Sequence, residues 1–305
     1  MYDIVIVGAG PAGLCAALYA RRAEKSVLLI EKSTFGGQIT HSPRVENYPG
    51  FLAMSGNELA EKLFEQVLEH GAEIELDEVK KIEKIDTGYN VITENSSFEA
   101  KTVIIATGAR HRPLGITHEE DFVGEGISYC AVCDGAFYKD KTVAVIGGGN
   151  TALQETVLLA EGCKKVYVIQ NMPYLTGESS LISAVGKRDN VEVIVNSVVH
   201  ELIGDTEITG VWIKNTETGE DTKITLDGIF VAIGQIPEND AFRDVVELDA
   251  RGYVAAGEDC LPKSDYPGIF VAGDCRTKAI RQVTTATADG AVAALAACRY
   301  IDGLA

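Results

Sequence analysis

Along the chain, short uninterrupted apolar runs end in glycine-rich loops, and the loops open into stretches whose apolar residues recur at helical spacing. Tyr2 to Val7 has a continuous buried-strand pattern, unbroken apolar from Ile4 to Val7, of the kind that predicts a strand buried on both faces. Gly8-Ala9-Gly10-Pro11-Ala12-Gly13 follows it, and then Leu14, Ala17 and Leu18 fall on one helical face. Val27 to Ile30 predicts a second strand ending at Glu31, and Thr142 to Ile146 a third, leading into Gly147-Gly148-Gly149 and a helix from about Thr151. Val103 to Ala106 before Thr107-Gly108, and Ile269 to Ala272 before Gly273-Asp274, also read as buried strands ending in loops that expose backbone.

The expected fold class is α/β, with two Rossmann-like dinucleotide-binding domains built on strand-glycine-helix units about 140 residues apart. Ile269 to Asp274 has the character of the first unit's last strand, so the second unit is expected to be inserted into the first. The chain would leave near Arg112-Pro113 and return near Pro237 to Phe242, with Pro113 and Pro237 as hinge markers. Any domain movement would then be a rotation about two short connections.

The sequence has 305 residues, 46% apolar and 24% charged, which is enough chain for two packed cores and excludes a disordered or collagen-like protein. Lys and Arg number 27 against 45 Asp and Glu, a net charge of −18 that would repel nucleic acid and anionic lipid. The seven Cys show no secreted disulfide framework, and no signal-peptide pattern or membrane-length apolar run is present in the sequence. A cytoplasmic, reducing location is the expectation.

Gly8-x-Gly10-x-x-Gly13 follows a strand, opens a helix and has an acid, Glu31, eighteen residues beyond Gly13. In this fingerprint Gly8 permits the tight turn, Gly10 admits a pyrophosphate against the backbone, and Gly13 lets helix and strand pack closely. Glu31 would accept from ribose hydroxyls. Cys130-Ala131-Val132-Cys133-Asp134 lacks a second pair of ligands at zinc spacing, which leaves a redox pair, with Asp134 placed to give or take a proton, or two separate buried thiols. His41, His70, His111, His118 and His200 are scattered without ligand spacing, and no metal site is expected.

These residues carry a resemblance. Cys130-Ala-Val-Cys133-Asp134-Gly135, followed by Lys141 to Ala152 with its Gly147-Gly-Gly149, resembles the low-molecular-weight thioredoxin reductases of the glutathione reductase superfamily. So do Gly36-Gly37-Gln38, Val45-Glu-Asn47-Tyr-Pro-Gly50, Ala106-Thr107-Gly108, and Gly273-Asp274 followed by Arg281-Gln282-Val283, all in family order. The resemblance implies FAD, bound by a discontinuous domain of residues 1–112 and 245–305, with 113–244 as an inserted NAD(P)-binding-like domain carrying the Cys pair. It places the pyrophosphate at Gly8 to Gly13, including Pro11 and Ala12, and Glu31 and Lys32 near the adenosine. Gly37, Gln38 and Asn47 would lie along the flavin, Val79 would meet the adenine through its backbone, and Thr107 and Gly108 would close the site. Gly273-Asp274 would hold the ribityl chain, and Arg281, Gln282 and Val283 would offer backbone to the isoalloxazine. Cys133 would face the flavin, Cys130 would attack the disulfide of oxidised thioredoxin, and Asp134 would be the general acid. A homodimer is implied as well.

The pattern breaks at one place. After the strand Val166 to Ile169, NADPH-dependent members read His-Arg-Arg with a further Arg four residues on, whereas this chain reads Gln170-Asn171-Met172-Pro173-Tyr174-Leu175-Thr176. Charge-assisted contacts are worth about 1.5 to 3 kcal/mol each, so three missing Arg would weaken NADPH roughly a thousandfold or more. Lys187 and Arg188 lie too far along the chain to replace them. This deviation is similar to that of the ferredoxin-dependent flavin thioredoxin reductases, which keep FAD and the Cys pair, and ferredoxin is therefore the expected electron donor. An NAD(P)H-dependent enzyme with an unfamiliar site, and a flavin redox sensor without turnover, are the alternatives. Docking an acidic ferredoxin would need local cations, and Arg276, Lys278 and Arg281 form the expected patch.

Overall fold

The structure, a computed structural model, describes residues 1–42 and 44–303. Two compact units result, Met1–Arg110 with the chain from Ile236 onward, and His111–Gln235. The first unit begins with β1 (Tyr2–Val7), α1 (Pro11–Arg22), β2 (Val27–Glu31), α2 (Gly56–Glu69), β3 (Glu73–Leu76), β4 (Val79–Ile85), β5 (Gly88–Thr93) and β6 (Ser97–Ile105). The chain crosses to the second unit on β7 (Ala109–His111), which precedes β8 (Ile127–Ser128), α3 (Ala131–Asp134), β9 (Thr142–Ile146), α4 (Asn150–Leu159) and β10 (Lys165–Ile169). That unit continues through α5 (Ser179–Gly186), β11 (Val191–Ile194), β12 (Ser197–Gly204), β13 (Ile208–Asn215), β14 (Asp221–Thr225) and β15 (Gly228–Val231). The return runs on β16 (Gln235–Pro237), which pairs with β7, and the first unit is completed by β17 (Ile269–Val271) and α6 (Val283–Gly303).

In the first unit the strand order is β3-β2-β1-β6-β5-β4, and β17 also pairs with β6. Strand β6 changes partner along its length: Ser97 to Ala100 pair antiparallel with β5, and Val103 to Ile105 pair parallel with β17. The sheet is covered on both faces, which explains the unbroken apolar run Ile4 to Val7 in β1. Ile4 and Ile6 pack beneath α1 and α6, while Val5 and Val7 pack on the opposite side with Val79, Val91 and Phe242. Helices α1 and α6 approach closely because α6 presents small residues, and a Cβ on Gly290 would lie 2.2 Å from the Ala12 carbonyl oxygen.

The second unit repeats the plan with a parallel sheet ordered β11-β10-β9-β15-β8 and a separate antiparallel sheet β12-β13-β14. The return to the first unit falls at Ile236, beside the expected hinge at Pro237 but ahead of the 245 at which the FAD-binding segment was expected to resume. Its physical cause is burial: Phe242, Val245 and Val246 join the first unit's core beside Ile105 and Val271. On the outgoing side the division lies after Arg110, two residues before the expected 112. Among the described residues no helix is long and apolar enough to cross a membrane.

Candidate active site

The first glycine loop turns as its three glycines require. Gly8 has a φ of 104°, and a Cβ there would lie 2.4 Å from the Ala106 carbonyl oxygen, so the loop passes directly over the end of β6. A Cβ on Gly13 would lie 1.8 Å from the Gly8 carbonyl oxygen, which is the close approach of helix to strand. Gly10, the N-cap of α1, has nothing within 4 Å of its Cβ position, and Pro11 sets the first helical turn behind it. The open side of Gly10 and the helix-start amides therefore form a cradle suited to phosphate.

The other first-unit residues named from sequence gather around this loop. Glu31, at the end of β2, accepts from the Ala9 N–H at 2.8 Å and the Ser33 N–H at 3.0 Å, which fixes its carboxylate beside the glycine turn. Lys32 is ion-paired to Glu238. Gly36 donates to the Ala9 carbonyl, and a Cβ on Gly37 would lie 3.2 Å from the Gly10 Cα, bringing the Gly37-Gln38 segment against the loop. The Asn47 amide donates to Gln282 Oε1 at 3.2 Å, joining two segments expected along the flavin. Val79 is buried in the same core cluster as Ile30, next to Glu31. Gly273 sits against Ala12, 2.8 Å from its Cβ by the same construction, ahead of Val283 at the start of α6.

Asp274 and Arg281 each hold a buried polar atom, Oδ1 and Nε respectively, with no hydrogen-bond partner among the described residues. Burial pushes the Asp274 carboxyl up to about 6. Two orphaned polar atoms in the segment between β17 and α6 fit a ligand that brings hydroxyl and ring polar groups, as FAD does.

Sequence reasoning missed three residues of this unit. The Thr107 hydroxyl donates to Asn239 Oδ1 at 2.9 Å, the Asn239 amide donates to the Gly252 and Cys275 carbonyls, and Glu238 pairs with Lys32 and Arg110. Both Glu238 and Asn239 were expected in the inserted domain, and only tertiary packing brings them here. The third, Asp289 on α6, accepts from the Gly273 N–H at 3.0 Å and binds Arg276 and Lys278, each at 2.9 Å.

That cluster overturns the expected docking patch. Arg276 is 0% exposed, the Lys278 side chain is 5% exposed, and both are ion-paired to Asp289 from α6. Arg281 lies over the Tyr253 ring at 4.4 Å. The three cations hold the loop after β17 to the fold. Substituting Lys278 by Glu would place an acid against Asp289 and report on folding rather than on docking.

In the second unit Cys130 and Cys133 form a disulfide, with Cα atoms 5.3 Å apart. Cys130 is the N-cap of α3, and the Cys133 N–H donates to Cys130 Sγ at 3.2 Å. Ser128, on β8, accepts from the Cys130 N–H at 3.1 Å and donates to Asp134 Oδ2 at 2.6 Å. Burial raises the Asp134 carboxyl and the Ser128 hydrogen bond partly opposes it, while Asp134 Oδ1 is buried without a partner. No spacing in the sequence marks Ser128. Among the described residues there is no group of His, Cys, Asp and Glu able to hold a metal.

The second glycine loop makes the same close turn as the first, since a Cβ on Gly147 would lie 2.6 Å from the Ala232 carbonyl oxygen. Gln170, at the end of β10, is buried; its Nε2 donates to the Tyr174 carbonyl at 3.3 Å, and a Cβ on Gly148 would lie 2.7 Å from its Cδ. The Thr176 and Gly177 amides donate to the Gly148 carbonyl. At the start of α4, Asn150 exchanges hydrogen bonds with Glu178, an acid. Arg188 pairs with Glu161 beyond the opposite end of that helix.

Chemistry that needs a dinucleotide-type cofactor in one unit and a reversible disulfide in the other is that of the flavin-dependent disulfide oxidoreductases. The chain belongs to the pyridine nucleotide-disulphide oxidoreductase family, matched over residues 2–290, and within it to the low-molecular-weight thioredoxin reductases. It is 38% identical to a thioredoxin reductase of Listeria monocytogenes over 305 residues, covering 100% of this chain and 95% of that protein. It is 40% identical to a thioredoxin reductase of Treponema pallidum over 304 residues, covering 99% and 98%. The solved thioredoxin reductase of Streptococcus pyogenes superposes with a TM-score of 0.93 at 40% identity, covering 99% of each chain. The family is FAD-dependent, and the cradle at Gly10 with the orphaned atoms of Asp274 and Arg281 fits that group.

Proposed function

We propose that this chain reduces the disulfide of a thioredoxin through Cys130 and Cys133, with reduced ferredoxin rather than a nicotinamide nucleotide as the electron donor. The names of its thioredoxin reductase relatives support the thioredoxin substrate. The observation that carries the donor is the end of β10. The segment Gln170 to Thr176 holds no cation, its buried Gln170 is committed to Tyr174, and the nearest charge is the acid Glu178. A 2′-phosphate placed there would lose its hydration without a positive partner.

When bound, FAD supplies a redox group that accepts electrons singly or in pairs and passes on two. The chain's own residues account for the exchange with thioredoxin. Cys130 attacks the partner disulfide, aided by the Cys133 N–H that stabilises its thiolate. A mixed disulfide forms as the partner's S–S bond breaks, and Cys133 resolves it by closing on Cys130. Asp134, held up by burial, gives the leaving thiolate its proton. The site residues named for FAD in the first unit, the homodimer and the cytoplasmic location carried by the resemblance belong to this proposal. Ferredoxin docks elsewhere than at Arg276, Lys278 and Arg281.

Anaerobic titration of the holoenzyme with photoreduced ferredoxin, NADPH and NADH tests the donor. Ferredoxin is expected to bleach the flavin and support turnover, and both nucleotides to leave it oxidised at micromolar concentration. Rapid bleaching by either nucleotide would establish the second reading, a nucleotide-dependent reductase, which the family's name and the intact Gly147 turn favour.

A further inference from the structure

Helix α4 buries Ala152, Leu153, Glu155, Thr156 and Leu159, so an acid shares its apolar face. Burying a carboxylate is costly unless its oxygens find donors. Glu155 Oε1 accepts from the Ala131 N–H at 3.3 Å, while Oε2 is buried with no partner among the described residues. Ala131 is the residue after Cys130, and its amide opens the same short turn whose Cys133 N–H reaches Cys130 Sγ. Glu155 therefore touches the backbone that links the two cysteines. Asp134 borders the pair from the other side, with its own Oδ1 unpartnered.

The surrounding charges leave the Glu155 carboxyl without a cation. On α3 the facing acid is Asp134, and the following turn, Gly135–Tyr138, adds the Tyr138 phenol, raised by burial and by Asp134. Strand β9 and helix α5 carry no titratable residue, and on β10 Lys165 is paired to Glu192 and lies over the Tyr167 ring. Burial pushes Glu155 up to about 7, the Ala131 N–H opposes it, and the charge of Asp134 adds a smaller upward push.

We propose that Glu155 is a positioning residue for the redox pair, taking up a proton when the Cys130–Cys133 disulfide opens and releasing it when the disulfide closes. This rests on the reading of the pair as the couple that exchanges with an external disulfide. On opening, two electrons from the enzyme's flavin break the S–S bond. Cys130 is left as a thiolate, Cys133 takes one proton, and Glu155 Oε2 takes a second from solvent. On closing, the Cys130–Cys133 bond reforms, the two electrons break the partner's S–S bond, and the protons of Cys133 and Glu155 balance the partner's two thiols. A proton on Glu155 removes a negative charge beside the new thiolate and leaves the helix-start amides to it.

The midpoint potential of the Cys130–Cys133 couple, measured on the holoenzyme by thiol alkylation in dithiol redox buffers from pH 6 to 8.5, tests this. In the wild type the pH slope should steepen on passing about pH 7 by one proton per two electrons. That is tenfold in the equilibrium constant, ~30 mV, per pH unit. A bare dithiol does the opposite, its slope only flattening as its thiols ionise. Glu155→Gln, neutral throughout, should lack the steepening and be about tenfold easier to reduce at pH 8. Equal slopes in the two proteins, or a wild-type slope that only flattens, would overturn the proposal, and the wild-type curve decides even if the variant fails to fold. Failure of the wild type to show any reversible couple would instead overturn the underlying redox reading.

Discussion

Asp289→Asn removes one negative charge at constant volume from the cluster that anchors the loop after β17, so its effect is electrostatic rather than a cavity. Asp289 Oδ2 accepts from the Gly273 N–H, Arg276 Nε and Lys278 Nζ, and Oδ1 from Arg276 Nη2. Among the described residues the only other acid bonded to Arg276 is Glu258, at 3.4 Å, and its side chain is 92% exposed, a pair worth about 1 kcal/mol at most. An amide in place of the carboxylate leaves two buried cations unneutralised and turns one of its own donors toward theirs. Breaking a buried pair in this way costs about 3 to 5 kcal/mol. For a unit of this size that lowers the unfolding temperature by roughly 6 to 20 °C. Because the chain has two units, two probes are needed: release of flavin reports the first, and the single Trp, Trp212 on β13, reports the second. The flavin transition should move by the stated amount and the Trp212 transition by much less. Burial raises the Asp289 carboxyl, but the hydrogen bonds from Arg276 and Lys278 outweigh it and the net shift is downward. Its contribution is therefore complete above the ordinary carboxylate value of about 4 and is lost as the pH falls through the lowered folded value. The gap between wild type and variant should be constant from about pH 5 to 8 and close only at the acid end. A flavin transition within about 2 °C of wild type at pH 7 would refute the assignment of these cations to the fold.

Cys130→Ser should keep its flavin absorbance yet lose multiple turnover of thioredoxin disulfide, measured as thiols released per enzyme; turnover above background would remove Cys130 as the attacking sulfur. If the intact enzyme itself fails to turn over more than once, the sensor reading is the right one. Gly10→Ala and Gly13→Ala separate the two tasks of the glycine loop. The first meets nothing within 4 Å and should fold with near-normal stability but bind FAD poorly, by flavin-to-protein ratio. The second drives a Cβ to 1.8 Å from the Gly8 carbonyl oxygen and should cost about 3 kcal/mol or more by thermal unfolding. Full flavin occupancy in Gly10→Ala would contradict the placement of the pyrophosphate.

What could be read from the sequence was whatever local geometry determines. A buried parallel strand needs an unbroken apolar run, a phosphate-type turn needs glycine at set spacing, and a disulfide across two residues needs nothing beyond its own helical turn. Hence Tyr2–Val7, Thr142–Ile146, the Gly8 to Gly13 loop and the Cys130–Cys133 disulfide all appear where expected. The return near Pro237 was legible, but the membership of residues 238–244 was not, because they form only a single short turn and are assigned by the packing of Phe242, Val245 and Val246 and by the Asn239 bridges. Charge was misread for the same reason. Arg276 and Lys278 looked exposed because their neutralising acid lies eleven or more residues onward, on α6. Glu155 falls by helical spacing on the apolar face of α4 with Ala152, Thr156 and Leu159, but only the structure shows that this face covers Ala131. Glu155 and Asp289 are both buried acids on helices that follow a glycine loop, yet one is raised and the other lowered. Two cations face Asp289, which therefore stays charged and holds the fold. Burial, with another acid facing it, pushes the Glu155 carboxyl up to about 7, beside the disulfide proposed to open and close.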